Sequence, residues 1–411
     1  MEYVYFIESN SAGNGVKAME YAKKKGLKTF FLTSMPEKYE KMEVNPLVIA
    51  DEYKIIDTND TVTLLHFFQN RNPIGILAFD DFHIIQASLI GKIKEVVTPS
   101  LEGLINCRFK DKTRKALEGS PGYIKYKLLE SDSLLNDPLF YPCVVKPVDE
   151  SGSVGVQICN NEDELAEALS FIDTLEKNIS GYKYVKKALV EEYLDGDEYS
   201  AELVWDTINQ NWHLIGFTKK YLSELPYRIE IGHLFPYYFN SSISLDVEKT
   251  IKGWLDTVGL NNCIAHVEFK LVDNKARLIE INPRPAGDQV NDLVGYALGK
   301  DLASYYLDMI LNNPIEEKQK LKNDLVYFIK FILPPRSGGI ENIEVNDSTD
   351  GVDIISYKVK TVKEVKGVKN SDDRLGYVIT SGRNEKEAIE SADHFIDNIS
   401  INYHLEEVLN K

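Results

Sequence analysis

The segment from His266 to Arg284 constrains this chain more than any other. It reads His-Val-Glu-Phe-Lys-Leu-Val, Asp-Asn-Lys, then Ala-Arg-Leu-Ile-Glu-Ile-Asn-Pro-Arg: two β-rich runs around a polar turn. Side chains alternate between the faces of a strand, so Glu268 lies opposite Val267 and Phe269. Glu280 and Asn282 share a face, and Ile279 and Ile281 point into the core. With Asp273-Asn274-Lys275 as a three-residue loop, Val272 pairs with Ala276 and Glu268 with Glu280. Two carboxylates directly opposite, about 4.5–5.5 Å apart at Cβ, repel each other, and a sheet keeps them there when a cation stands between. Glu, Glu and Asn offer only hard oxygens, which suit Mg²⁺ together with its waters and substrate phosphates. The competing reading is a solvated hairpin face with two glutamates.

Upstream, residues 3–8 read as a buried strand, followed by a turn at Gly13 and Gly15, a helix ending near Gly26 and a strand at 28–33. Shorter apolar runs at 46–49 and 74–79 are separated by helix-like stretches. This alternation implies a parallel sheet covered on both faces, and a first α/β domain at 1–105. Residues 106–140 look charged and helical. Tyr141–Pro147 and Val154–Cys159 are short β runs joined by a small-residue loop, followed by an amphipathic helix with Leu165, Leu169 and Ile172 on one stripe. Strands follow at 188–193 and 199–205. The chain closes with a helix at 385–399 carrying Ile389, Ala392, Phe395, Ile396 and Ile399. The expected units are 106–187, with a small central domain at 141–187, then 188–315, and a C-terminal α+β segment at 316–411 packing on the preceding lobe.

Other residues bear on the hairpin. Lys146 ends the Val144-Val145 strand, where it can point a charge at phosphate oxygens. The loop Glu150-Ser151-Gly152-Ser153-Val154-Gly155 is small enough for its backbone N–H groups to fold over phosphates; the plain alternative is a turn. It is no Walker A loop, since no Gly-Lys-Ser/Thr follows. Ala188-Leu-Val-Glu-Glu-Tyr-Leu-Asp-Gly-Asp-Glu fits a hinge whose backbone pairs with an adenine edge, with Glu198 accepting from ribose hydroxyls. Gly13-Asn-Gly-Val-Lys-Ala18 fits the G-x-G-x-x-A fingerprint of a dinucleotide-binding oxidoreductase, but no acid stands at the end of the second strand, Thr33-Ser34, to hold a ribose. The glycines therefore read as a tight strand-to-helix turn.

In this order, the strand-end lysine, the Ser/Gly loop, the Glu-Glu-Tyr-Leu hinge and the Glu…Glu-Ile-Asn-Pro-Arg ending resemble the ATP-grasp carboxylate–amine ligases, over roughly residues 1–310. Gly376 to Ala392 is similar to the closing segment of the biotin-carboxylase-like branch. Within the superfamily the chain most resembles bacterial L-amino-acid ligases that make dipeptides. The resemblance implies an ATP-grasp fold with a Rossmann-like N-terminal domain. It implies ATP with magnesium, in two sites where Mn²⁺ can substitute, and ligation through an acyl phosphate. Carried over by position, Lys112 and Lys146 contact phosphates, Glu191, Glu192 and Leu194 line the adenine site, and Glu198 holds ribose. Glu268, Glu280 and Asn282 hold magnesium, and Arg284 stabilises the phosphorylated carboxylate. In Pro226–Pro236, similar to the stretch near the amino-acid site, Arg228 takes a carboxylate and His233 orients the amine. Other carboxylate–amine or –thiol ligations share this machinery, and a non-catalytic ATP-binding protein is a further alternative.

Composition sets outer limits. Asp plus Glu number 64 against 47 Lys plus Arg, a net charge of −17, unsuited to neutralising a nucleic-acid backbone. The same acidity makes a basic first substrate such as arginine the expectation. Cys107, Cys143, Cys159 and Cys263 form no CxxC and read as reduced core thiols of a cytoplasmic protein. No secretory start and no apolar run of about 18 residues is present, so no membrane partner is expected. The expected partners are small-molecule amino acids, with a homodimer open because related ligases are often dimers.

Overall fold

The computed structural model describes residues 2–40, 42–130, 140–178, 181–224, 228–316, 319–345, 353–368 and 370–404. The N-terminal unit is a parallel sheet of β1 (Tyr3–Ile7), β2 (Lys28–Thr33), β3 (Glu52–Ile55) and β4 (Pro73–Leu77), in the order β3-β2-β1-β4. Val4, Tyr5, Phe6 and Ile7 are all buried, as a parallel strand covered on both faces requires. The apolar run at 46–49 makes a short helix, Pro46–Ile49, capped by Asn45. The third strand is the exposed β3 that follows it. An edge strand needs no apolar run, so the sequence carried no signal for it. The turn after β1 starts the helix Asn14–Lys24 at Gly13, whose φ of 80° is left-handed. A Cβ on Gly15 would stand 2.5 Å from Ser9 Oγ, so both glycines serve the tight turn, and the Asn14 side chain donates to Ala286 O at 2.9 Å.

The second sheet is antiparallel and contains β5 (Tyr126–Glu130), β6 (Cys143–Pro147), β7 (Gln157–Cys159) and β8 (Lys187–Glu192), in the order β5-β8-β6-β7. The helix Glu162–Thr174, opened by the Asn161 cap and three acidic residues, lays Leu165, Ala168 and Ile172 on Cys143, Val145, Cys159 and Val190. β8 pairs with β5 and β6, so the strand expected at 188–193 joins this small sheet.

The third sheet begins with β9 (Asp197–Asp206), β10 (Asn211–Leu222), β11 (Glu230–Tyr237), β12 (Ile264–Val272), β13 (Lys275–Asn282) and β14 (Val326–Ile332). The chain continues through β15 (Gly338–Val345), β16 (Ile354–Val359), β17 (Glu364–Val365), β18 (Gly376–Gly382) and β19 (Ile399–Tyr403). Eight strands form one sheet in the order β13-β12-β9-β10-β11-β14-β18-β16, while β17, β15 and β19 make a small separate one. Strands β14, β16 and β18 of the C-terminal segment therefore extend the central sheet. The last helix is Glu385–Asp397; its Ala388, Ala392 and Phe395 are buried against Phe328 and Val378, and Ile399 starts β19. All four cysteines are buried and free. Among the described residues no helix is long and apolar enough to cross a membrane.

Candidate active site

The β12–β13 hairpin brings Glu268 opposite Glu280 and His266 opposite Asn282, by a route different from the one expected. The loop has two residues, Asp273 and Asn274, both left-handed (φ 51° and 60°), and Val272 pairs with Lys275. Two such residues make the turn whose twist matches a hairpin. The register is then one residue out, and a bulge between Phe269–Leu278 and Glu268–Glu280 restores it by leaving Ile279 unpaired. Ile279 consequently leaves the core alternation: Leu278 and Ile281 are buried at 1% exposure and Ile279 is not among the core residues.

The bulge carbonyls are held from the other sheet. Arg114 Nη2 donates to Leu278 O at 3.1 Å and to Ile279 O at 2.7 Å, and Lys146 Nζ reaches Ile279 O at 3.5 Å. Glu191 lies between the two cations, 2.5 Å from Arg114 Nε and 2.7 Å from Lys146 Nζ. Burial lowers the pKa of Lys146, and Glu191 opposes that shift. Glu191 itself would be raised by burial, but Arg114 and Lys146 keep it below its ordinary range.

Cations do stand at the facing glutamates, and in this structure they are lysines. Lys110 Nζ is 2.8 Å from Glu280 Oε1. Lys220 Nζ is 3.1 Å from Glu268 Oε2, 2.7 Å from Glu230 Oε1 and 3.6 Å from Glu198 Oε1. His266 Nε2 lies 3.1 Å from Glu268 Oε1, while its Nδ1 faces Glu202 at 2.9 Å. Burial would raise the pKa of Glu268, yet Lys220 and His266 hold it well below the carboxylate range, so it stays ionised. Burial raises Glu198 despite Lys220. Glu268 and Glu280 side chains remain 20% and 22% exposed, reachable from solvent, and Asn282 beside them is buried.

Arg284 is gripped from the N-terminal unit: its Nε and Nη2 donate to Asp81 Oδ1 and Oδ2 at 2.7 and 2.8 Å. Asp81 follows β4 and also lines a cavity of about 150 Å³ with Phe82, Gln86, Arg108 and Tyr182. Arg108 lies over the Phe82 and Tyr182 rings, and its buried Nη2 has no hydrogen-bond partner.

Several expected residues lie elsewhere. Lys112 is exposed on the helix Lys110–Ala116 and does not join the cluster; Lys110 and Arg114, buried one turn apart, occupy the cleft. Glu192 turns to the other face of β8, accepting from Arg277 Nη2 at 2.7 Å and Lys125 N at 3.0 Å. Leu194 O accepts from Lys270 Nζ at 2.9 Å. Ser151, Gly152, Ser153 and Gly155 form the β6–β7 loop, with left-handed φ at Gly152, Ser153 and Gly155. Pro226 and Tyr227 lie outside the described residues. Arg228 interacts electrostatically with Lys270, whereas the buried His233 lies by Asp288 and Glu230, 3.7 and 4.0 Å away. Sequence reading missed Lys110, Arg114, Asp81 and Lys220. The first two are legible as an i, i+4 pair, and Asp81 as an acid at the carboxyl end of a parallel strand.

An ATP-grasp domain model matches residues 139–292, and a model of the L-amino acid ligase C-terminal domain 2 matches residues 330–404. The chain is 25% identical over 232 residues to the alanine–anticapsin ligase of Bacillus subtilis, covering 50% of this chain and 47% of that protein. It is 23% identical over 199 residues to a D-alanine–D-alanine ligase of Pseudothermotoga lettingae, covering 46% and 61%. It therefore spans about half to three-fifths of these relatives' length. The solved L-amino acid ligase of Bacillus licheniformis shares the fold with a TM-score of 0.78 at 19% identity, over 98% of this chain and 99% of that one. A phosphoribosylglycinamide synthetase from Anaerococcus prevotii does so with a TM-score of 0.71 at 19% identity, over 98% and 99%. The chain therefore carries an ATP-grasp domain followed by an L-amino acid ligase C-terminal domain 2, the equipment of an ATP-dependent ligase.

Proposed function

We propose that this ligase joins the carboxylate of one amino acid to the amine of another, giving a dipeptide, ADP and phosphate. The observation that carries the proposal is the convergence of Lys110, Lys146 and Arg284 on the cleft where Glu268 faces Glu280. Phosphoryl transfer depends on positioning and charge neutralisation more than on covalent help from the protein, and these side chains supply both. A carboxylate oxygen of the first substrate attacks the γ-phosphorus, the bond to ADP breaks, and an acyl phosphate forms. The amine of the second substrate then attacks the acyl carbon. A C–N bond forms, the C–O bond to phosphate breaks, and the amine gives up its proton. Arg284, whose Nε and Nη2 are held by Asp81, offers the positive charge of its Nη1 side to the developing negative charge.

The donor set suits magnesium, with hard oxygens from Glu268, Glu280 and Asn282; the Lys110 and Lys220 ammonium groups that counter the two carboxylates would have to give up those contacts to it. When bound, Mg²⁺ adds neutralisation of phosphate charge. Lys110 takes the phosphate role expected of Lys112, and Glu191 sets Lys146. The loop of Ser151, Gly152, Ser153 and Gly155 folds over the phosphates and excludes water from the acyl phosphate. The hinge backbone at Leu194 meets adenine, and Glu198 meets ribose. The unpartnered Arg108 Nη2 in the Asp81 cavity supports a first amino acid bearing a hydrogen-bond acceptor. It speaks against the basic first substrate expected from composition, since a guanidinium would meet a cation there. The test is a screen of the twenty amino acids, singly and in pairs, for phosphate release with MgATP. Release that depends on amino acids is the expected outcome; ATP turnover indifferent to every amino acid would refute the proposal.

A further inference from the structure

Arg108 is a buried cation whose counter-ion is missing. It ends the helix Leu101–Arg108 and is 6% exposed. Its guanidinium lies 4.8 Å from the centre of the Phe82 ring and 4.9 Å from that of Tyr182, so two aromatic faces hold it in place. Its Nη2 is buried with no hydrogen-bond partner among the described residues. The nearby acids are engaged elsewhere. Asp81 gives both oxygens to Arg284. Glu150 accepts from Ser151 N through one oxygen and from the Tyr184 hydroxyl through the other. Asp149, whose Oδ2 accepts from the Tyr182 hydroxyl and Val185 N, does not line the cavity on which Arg108 opens.

That cavity holds a second unpaired atom. Gln86, on the helix Ile84–Ile93, also lines it, and the Gln86 Oε1 is buried and without a partner. An unmade bond is costly at either atom, and the two together describe a polar group that belongs between them. The volume of about 150 Å³ equals roughly five waters of the liquid, room for one polar side chain. Charge selects among such side chains. Arg284 and Asp81 cancel, which leaves Arg108 as a net positive charge beside the apolar Ile85, Leu89 and Phe109. A buried ion lacking its partner is the costly state, and a carboxylate relieves it through a charge-assisted hydrogen bond. Gln86 serves that carboxylate by turning its amide so that Nε2 donates, since Oε1 has no bond to break.

We propose that this cavity is a side-chain subsite for an acidic first amino acid, aspartate or glutamate, whose side-chain carboxylate meets Arg108 Nη2 and Gln86. Asp81 joins the subsite to the reaction centre, because the residue that lines the cavity also clamps Arg284, assigned to the reacting carboxylate. This rests on the ligase reading and narrows it from any hydrogen-bond acceptor to an anion.

The test uses the unaltered enzyme with MgATP and the acceptor amino acid giving the fastest phosphate release. Glutamate is compared as first substrate with glutamine and with the apolar 2-aminopentanoate, and aspartate with asparagine and 2-aminobutanoate. Tandem mass spectrometry reads the residue order of each dipeptide. The better acid should exceed both of its analogues at least about 10-fold in kcat/KM, the value of a hydrogen bond between charged groups. Equal or better use of either analogue overturns the assignment while leaving the ligase reading intact; no amino-acid-dependent ATP cleavage overturns both. Glutarate, which lacks the amine, separates a substrate subsite from a site for a free anion: if it stimulates ligation of 2-aminopentanoate, the cavity belongs to a free anion and the proposal fails. In Arg108→Gln the preference for acid over apolar analogue should vanish. A folded Arg108→Gln enzyme that keeps the preference refutes the proposal, and the substrate series decides the matter should the variant not fold.

Discussion

Asp81 contributes no atom to the β12–β13 hairpin proposed to hold magnesium, yet the proposed chemistry depends on where it holds Arg284. Asp81→Glu keeps the charge and lengthens the arm by one methylene, moving the carboxylate by about 1.5 Å. The arginine fork, bonded at 2.7 and 2.8 Å, follows it. A misplacement of about 1 Å costs roughly 100-fold in rate, equivalent to about 2.7 kcal/mol at 1.36 kcal/mol per decade. KM for ATP should stay within about 2-fold, because Arg284 is assigned to the reacting carboxylate and not to the nucleotide. Asp81→Ala differs: it leaves a guanidinium whose side chain is only 15% exposed without its counter-ion, and breaking such a pair costs about 3–5 kcal/mol of stability. Continuous ADP release measures the first effect and urea denaturation the second. Undiminished kcat in Asp81→Glu would show that Arg284 does not act where its clamp puts it, and an Asp81→Ala protein as stable as its parent would show that the clamp is not an effective buried pair.

Three further outcomes are expected. Lys110→Ala should weaken ATP binding about 10-fold or more, the value of a charge-assisted hydrogen bond, while Lys112→Ala leaves it unchanged; calorimetric titration separates them, and the reverse order would restore the role to Lys112. Glu280→Gln should lower ADP formation at least about 100-fold and shift its Mg²⁺ dependence to higher concentration, since a charged metal ligand is lost; unchanged turnover over a Mg²⁺ titration sinks the metal assignment. Gly122→Ala should destabilise the protein by at least about 2 kcal/mol, because φ is +76° and the new Cβ falls 2.4 Å from Ala276 O and 2.5 Å from Trp254 Cζ2; a denaturation midpoint equal to the parent's contradicts this packing.

How far the site was legible depended on the kind of signal. The Glu268–Glu280 pairing followed from strand alternation, although the turn and the bulge each differed from expectation by one residue and the two differences cancelled. Alternation cannot reveal a bulge, because Ile279 looks like any other apolar strand residue until Arg114 and Lys146 claim its carbonyl. Lys110 was within reach: its i, i+4 spacing to Arg114 puts both on one helix face and leaves Lys112 about 200° away from Lys110. Phosphate contact had instead been carried over from the family at Lys112. The ion pair of Asp288 with Arg374, at 2.7 Å, is different in kind. It spans 86 residues and depends on β18 lying beside β14, a long-range pairing that no local pattern specifies. The same holds for the C-terminal segment, which reads as a separate α+β unit because its periodicities are ordinary.

The eight-stranded sheet also sets an order of events during synthesis. β14 lies beside β11 and then pairs with β18, which in turn holds β16, so the lobe that carries the glutamate pair has a bare sheet edge until Gly376–Gly382 has been made. The N-terminal parallel sheet has all its strands once Leu77 has emerged, but its core is closed by the later helix Leu302–Ile310, whose Tyr306 packs on Phe79. A chain stalled once the helix Leu302–Ile310 has emerged but before β18 should therefore display a covered first unit joined to a lobe with an unpaired edge, the state most open to chaperone capture or to pairing with another nascent chain. Truncation before β18 would thus change solubility before it changed chemistry.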